Sequence, residues 1–160
     1  MSELINLIQA KFKEEKIDVK IELKDIVTLK VKKEDIINVL NKLKNSEELL
    51  FDYLVDITAC DYISRGYFEV IYTLLSLARN ERIRVKTTVE REKPELESIT
   101  SIYKGANWFE REVYDLFGII FKNHPNLKRI LLWEKFPGHP LRKDFPLDRE
   151  ISPPEMEDIY

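Results

Sequence analysis

His124 and His139 are the first residues of this 160-residue chain to consider for acid–base or metal chemistry, because imidazole titrates near neutrality. Each is followed by a proline, and fifteen residues separate them, a spacing that matches no common zinc site. The single cysteine, Cys60, lies far from both and has no Cys-x-x-Cys or His-x-x-Glu-His partner. Imidazoles that satisfy the backbone of turns account for both His-Pro pairs. Carboxylate pairs such as Glu110 with Glu112 and Asp56 with Asp61 could support proton transfer, but in a chain with 34% charged residues such pairs arise by chance. Asp56 sits inside an apolar strand, where an unpaired charge is costly, so Arg65 or Arg84 is expected to neutralise it. The four glycines, at 66, 105, 118 and 138, form no phosphate-binding loop, and no Gly-x-Ser-x-Gly nucleophile elbow is present. No catalytic, cofactor-binding or metal-ligating residue is therefore assigned.

The elements that carry these residues follow from apolar periodicity. Leu4, Ile5, Ile8 and Phe12 recur at helical spacing after Ser2, a candidate N-cap. Val19, Ile21 and Leu23 alternate with charged residues, as do Val27, Leu29 and Val31 beyond Lys24-Asp25, which predicts a hairpin. Ile36, Ile37, Leu40 and Leu43 mark a second helix ending before Asn45 and Ser46. Strands are predicted over Tyr53–Ala59, over Tyr67–Leu77 after an Arg65-Gly66 turn, and over Arg82–Val89. A charged break from Glu90 to Pro94 leads to a short helical patch around Ile99 and Ile102. Asn107 and Glu110 have the form of a capping box that opens a third helix, with Phe109, Val113, Leu116 and Phe117 on one face and Gly118 at its end. Arg111 and Asp115 are spaced as an i,i+4 pair. The fold class is thus α+β, a two-layer sandwich with helices on one face of a sheet of about five strands, followed by an extended, proline-rich C-terminal tail.

Composition bounds the partners. With 26 basic and 29 acidic residues the net charge is −3, which offers no general attraction to nucleic acid and no polybasic lipid anchor. The most apolar stretch, Val70 to Ala78, is about half the ~18 residues that a membrane span requires. The lone cysteine and the opening Met1-Ser2-Glu3-Leu4 lead us to expect a reducing, cytoplasm-facing location, with membrane contact only through partners.

Residues 1–118 are expected to form the α+β domain and residues 119–160 the tail. Six of the seven prolines lie between Pro125 and Pro154, yet Leu127, Ile130, Leu131, Leu132, Trp133, Phe136, Leu141, Phe145 and Leu147 are too apolar for a disordered linker. Much of the tail is expected to lie on a neighbouring polypeptide. In Gly138 to Leu147, burial of the apolar residues would bring Arg142, Lys143 and Asp144 to a contact surface, with Arg142 free to bind a carboxylate in bidentate fashion.

From Phe109 through Leu147 the sequence reads FEREVYDLFGIIFKNHPNLKRILLWEKFPGHPLRKDFPL. The ordered set Glu110-Arg111-Glu112-x-x-Asp115-Leu116-Phe117-Gly118-Ile119, His124-Pro125, Arg129-Ile130-Leu131 and Gly138 to Leu147 closely resembles the signature region of the thirty-kilodalton (C-type) subunit family of complex I, the respiratory-chain NADH dehydrogenase. Where relatives commonly carry a proline and an Asp-Trp pair, this chain has Leu132-Trp133-Glu134-Lys135-Phe136-Pro137. The resemblance implies a structural subunit of the hydrophilic arm of a proton-translocating NADH:quinone oxidoreductase, peripheral on the cytoplasmic side of the inner membrane. It implies no flavin, iron–sulfur cluster or metal in this chain, with FMN and iron–sulfur clusters in partner subunits. The implied partners are the forty-nine-kilodalton (D-type) subunit and the cluster-bearing B-type subunit of complex I. The implied interface residues are Glu110, Arg111, Asp115, His139, Leu141, Arg142, Lys143, Asp144 and Phe145. Activity would belong to the complex and not to the isolated chain. The alternative is the equivalent subunit of a membrane-bound hydrogenase or formate hydrogenlyase.

Overall fold

Alternating apolar residues become strands here, and 3.6-periodic ones become helices. The computed structural model describes residues 2–13, 17–22, 26–146, 148 and 151. Within them lie α1 (Ser2–Lys11), β1 (Asp18–Glu22), β2 (Ile26–Lys30), α2 (Ile36–Asn45), β3 (Tyr53–Tyr62), β4 (Tyr67–Ser76), β5 (Glu81–Glu90), β6 (Glu95–Glu97), α3 (Ala106–Phe117) and β7 (Ile120–Lys122). The predicted Lys24-Asp25 turn and Leu147 fall outside the described residues. Gly66 adopts φ +73° after a 3-10 turn, a left-handed conformation that suits a residue without Cβ and connects β3 to β4.

The main sheet has the order β1-β2-β5-β4-β3. All its pairings are antiparallel except β2 with β5, where Val27 meets Ile83 and Leu29 meets Val85. The crossover arises because α2 carries the chain to the far edge, from which β3, β4 and β5 return as a meander. One face carries Val27, Leu29, Ile57, Phe68, Val70, Tyr72, Leu74, Ile83 and Val85, all buried. Against these pack Leu4, Ile8 and Phe12 of the first helical segment, Ile36, Val39, Leu40 and Leu43 of α2, and Val113 and Phe117 of α3. Phe117 and Phe68 meet edge to face at 6.3 Å, which puts α3 on the same side as the other helices. The opposite face is polar, and there Lys86 bridges Glu22 at 2.5 Å and Glu69 at 3.5 Å. The α+β architecture with five principal strands is as the sequence predicts.

Two features differ from expectation. The patch at Ile99 and Ile102 is a single turn, in which the N–H groups of Ile102 and Tyr103 both donate to the Ile99 carbonyl. In addition, β6 and β7 form a separate parallel pair, Leu96 opposite Phe121, each strand too short for its period to register in sequence. Ile119 and Phe121 are buried in the core, so packing of the α+β body continues past Gly118. Replacing Leu40, fully buried beneath the sheet, with alanine should cost about 2–5 kcal/mol. Urea unfolding of Leu40→Ala should show a lower midpoint with an unchanged slope.

Candidate functional site

An α-helix leaves its last four carbonyls without intrahelical partners. At the end of α3 each one is met. Gly118, left-handed at φ +72°, donates its N–H to the Tyr114 carbonyl at 2.8 Å. The chain beyond then returns across the helix end: His139 Nδ1 bonds the Asp115 carbonyl at 2.8 Å, Leu141 N–H the Leu116 carbonyl at 3.1 Å, and Arg142 Nε the Phe117 carbonyl at 2.6 Å. A carbonyl can only accept, so His139 carries its proton on Nδ1. Burial pushes the His139 imidazole below its usual value against the pull of the Asp115 carbonyl, and Arg142 and Arg129 lower it further, which favours the neutral ring. A Cβ on Gly118 would stand 2.6 Å from the His139 ring and collide with Arg142.

The strap, residues 127–146, is held at its other end by one carboxylate. Asp115 is fully buried and accepts Arg129 Nη1 at 2.7 Å together with the N–H groups of Ile130, Leu131 and Leu132 at 3.0, 2.8 and 2.9 Å. Burial opposes its ionisation, but the Leu132 N–H, the Arg129 guanidinium and the N–H groups of Ile130 and Leu131 outweigh it and hold the carboxyl below its usual range. Arg129 Nη2 donates to the Phe136 and Gly138 carbonyls at 3.0 and 3.1 Å, closing the loop between them. Arg111 lies over the Trp108 ring at 5.2 Å and donates to the Lys128 and Arg129 carbonyls at 3.0 and 2.9 Å.

Two further clusters tie this region to the sheet. Asp61 of β3 accepts Arg91 Nε at 3.1 Å and the Lys143 N–H at 2.9 Å, while Arg91 also pairs with Asp144. Glu110, fully buried, accepts the Ser98 hydroxyl at 2.6 Å and the Ile99 N–H at 2.7 Å, and burial raises its pKa to about 7 against those two bonds. His124 Nδ1 accepts the Asn126 N–H at 3.0 Å, so its Nε2–H faces the Asn107 carbonyl at 3.1 Å. Its Nε2 stands 3.9 Å from Glu110, too far for a hydrogen bond, and burial lowers its pKa.

The arrangement is a scaffold for a surface. It fixes a backbone trace, and the charged side chains that do so are already engaged. A family model described as "Respiratory-chain NADH dehydrogenase, 30 Kd subunit" matches residues 29–150, well beyond the motif region and across most of the sheet. The chain belongs to this family. The NADH-quinone oxidoreductase C subunit of Geobacter metallireducens is 43% identical over 142 residues, covering 88% of this chain and 86% of that one. The solved structure of a trypsin-resistant Nqo5 fragment (1-134) superposes with a TM-score of 0.64 at 28% identity, over 79% of this chain and 98% of that one. A chain of the membrane-bound sulfane sulfur reductase, an archaeal respiratory membrane complex, superposes with a TM-score of 0.79 at 25% identity, over 91% and 85%.

In this family member the residues singled out from sequence separate into two groups. Glu110, Arg111, Asp115, His139 and Arg142 turn inward and hold the chain's own backbone. Glu110 closes no capping box with Asn107, because Ser98 and Ile99 claim its carboxylate and the helix is capped at Gly105. Nor do Arg111 and Asp115 pair, since each is spent on the strap. Arg142 Nε meets the Phe117 carbonyl at the end of the helix. Lys143 gives its backbone to Asp61 and keeps an exposed side chain, Asp144 pairs with Arg91, and Phe145 stacks on Phe136 at 5.9 Å. Facing outward are Leu141 at 49% exposure, Leu131 at 61% and Trp108 at 61%. Sequence reasoning gave no site role to Trp108, Arg129, Ser98, Asp61 or Arg91. Arg129 carried a signal as part of the quoted motif, and Asp61 as a carboxylate paired in sequence with Asp56. The carboxylate of consequence in β3 is Asp61, buried, while Asp56 is half-buried.

Asp115→Asn replaces an acceptor of four donors by an amide that must turn N–H groups toward some of them. It should cost about 2–4 kcal/mol and speed hydrogen exchange selectively at residues 129–142, with uniform exchange across the chain as the contrary result. For Glu110, the folded state keeps a proton between about pH 4.5 and 7 that the unfolded chain releases, so its contribution falls as pH rises through that window. The gap corresponds to roughly 3 kcal/mol. Glu110→Gln should therefore gain on the wild type by about 2–3 kcal/mol between pH 5 and pH 8 in urea unfolding, and a pH-independent difference would contradict the assignment.

Proposed function

We propose that this chain is a cofactor-free structural subunit of the hydrophilic arm of a proton-translocating NADH:quinone oxidoreductase, and that the outer surface of the strap packs against the forty-nine-kilodalton (D-type) subunit that helps form the quinone site. The observation that carries this reading is the division of labour in the strap. Its hydrogen-bonding groups are turned inward onto α3, while Leu131, Leu141 and the neighbouring Trp108 stand outward on a fixed backbone. Aromatic and aliphatic anchors on a preorganised backbone are what an interface core requires, because little ordering entropy is lost on docking. The family membership and the name of the Geobacter relative support the same reading.

One cysteine and two histidines, separated in sequence, cannot supply the four ligands of an iron–sulfur cluster, which supports assigning the clusters to partners such as the B-type subunit, and FMN is assigned to partner subunits with them. Electron transfer and ion translocation then belong to the assembly, and the isolated chain has no activity of its own. Among the described residues no helix is long and apolar enough to cross a membrane. The reading puts the chain at the periphery on the cytoplasmic side, with membrane contact through its partners. The likeness to the archaeal sulfane sulfur reductase chain favours a second reading, in which the same module serves a related membrane complex such as a hydrogenase.

A tagged chain purified from gently solubilised native membranes should bring down the D-type subunit with flavin- and cluster-bearing partners and NADH:quinone activity. A nickel–iron hydrogenase would support the second reading, and a chain recovered alone would sink both. The double variant Leu131→Asp, Leu141→Asp should reduce partner recovery about tenfold or more while the melting temperature of the isolated chain moves by only about 2–3 °C, since both side chains are solvent-facing.

A further inference from the structure

We infer that the outer edge of β3 is a docking site for an extended, basic segment of another polypeptide, which adds a sixth strand to the sheet. The sheet ends in β1 on one side and β3 on the other. Exposed edges invite pairing, and proteins guard them with short strands and charge. The β1 edge is guarded in this way: it is five residues long and bears Asp18, Lys20 and Glu22, with Lys20 on Asp18 at 2.7 Å. The β3 edge is not. It runs for ten residues, contains no proline, and lies in a stretch from Ser46 to Ser64 without a single Lys or Arg.

After one irregularity between Leu54 and Asp56, the register of β3 with β4 is unbroken from Asp56 to Tyr62. Seven residues at ~3.3 Å each give an edge about 23 Å long. Among the described residues, no backbone hydrogen bond from any other segment reaches it. Thr58 and Cys60 are exposed and short, so no bulky side chain overhangs the middle of the edge.

Charge selects the occupant. Of the acids in the 46–64 stretch, Glu48 is engaged by Lys11 and Asp61 by Arg91. Asp52 lies just before β3 and Asp56 opens the unbroken stretch, and among the described residues neither has an ion-pair partner; Asp56 lies on the open face of the sheet, opposite Thr73. A strand bearing Lys or Arg on that face at the start of the stretch fits Asp56. On its other face it needs small or apolar residues, beside Ile57 and Ala59 in the layer below α3. A second copy of this chain would bring an edge of the same sign. Residues 152–160 of the chain itself carry Glu155, Glu157 and Asp158, two prolines and no base, so they do not match either.

The test compares hydrogen–deuterium exchange at residues 53–62 in the free full-length chain and in the chain within the solubilised native complex. In parallel, the free chain is titrated with an alternating Val/Lys heptapeptide and with its Val/Glu counterpart. Exchange at alternate amides of 56–62 should slow about tenfold in the complex and with the Val/Lys peptide, but not with the Val/Glu peptide. Thr58→Lys should abolish the peptide protection and Thr58→Glu should keep it, both with melting temperatures within about 3 °C of the wild type. Unchanged exchange in a complex that contains the chain overturns the proposal, as does equal protection by the two peptides. Protection that scales with chain concentration identifies a second copy and overturns it too. The complex arm rests on the assembly reading above. A chain recovered without partners would defeat that reading, and the peptide titration would then decide this one alone.

Discussion

The carbonyls at the end of α3 and the carboxylate of Asp115 are polar groups that this chain withdraws from water, and each must find a donor. A buried acceptor left unmet costs roughly 1–3 kcal/mol, and a buried charge more. The strap is the solution: a segment with few regular backbone bonds of its own lends N–H groups from Ile130, Leu131, Leu132 and Leu141, with guanidinium groups from Arg129 and Arg142, to the helix end. The helix is satisfied by the strap and the strap is shaped by the helix.

Charged residues in a motif are easily taken for contacts with other subunits, because charge is common at the rims of interfaces. Here burial reverses that assumption for several of them. Asp115 remains ionised because four donors outweigh its desolvation, whereas Glu110, with two, is pushed toward neutrality. The same residue class therefore plays two electrostatic roles within five positions of one helix. Arg91 and Arg142 add a third, each lying over the Phe68 ring, at 5.6 and 5.3 Å, while their nitrogens reach the strap or the helix end.

Much of the fold was legible because it depends on local period. Ile36, Leu40 and Leu43 announce α2, and Gly118 announces the end of α3. What stayed hidden depends on contacts between distant segments. The parallel pairing of β2 with β5 has no local signal, and neither has the pairing of two three-residue strands. In β3 the irregularity between Leu54 and Asp56 breaks strict alternation, so Asp56 goes to the open face and Asp61 goes inside. The apparent capping box failed for a related reason: Glu110 was claimed by residues eleven and twelve positions upstream that only the tertiary fold brings to it.

The strap's attachment through backbone groups has a consequence for how such a surface can evolve. At Ile130, Leu131, Leu132 and Leu141 the groups that hold the chain in place are N–H groups, which every residue but proline supplies identically. Substitution of an outward side chain at these positions leaves the trace intact. The anchoring vocabulary is concentrated instead in Asp115, Gly118, Arg129, His139 and Arg142, whose identities are constrained by geometry. Shape and chemical character are thus encoded in separate residues, so a lineage can rewrite the face it offers to a neighbour without redesigning the platform beneath it.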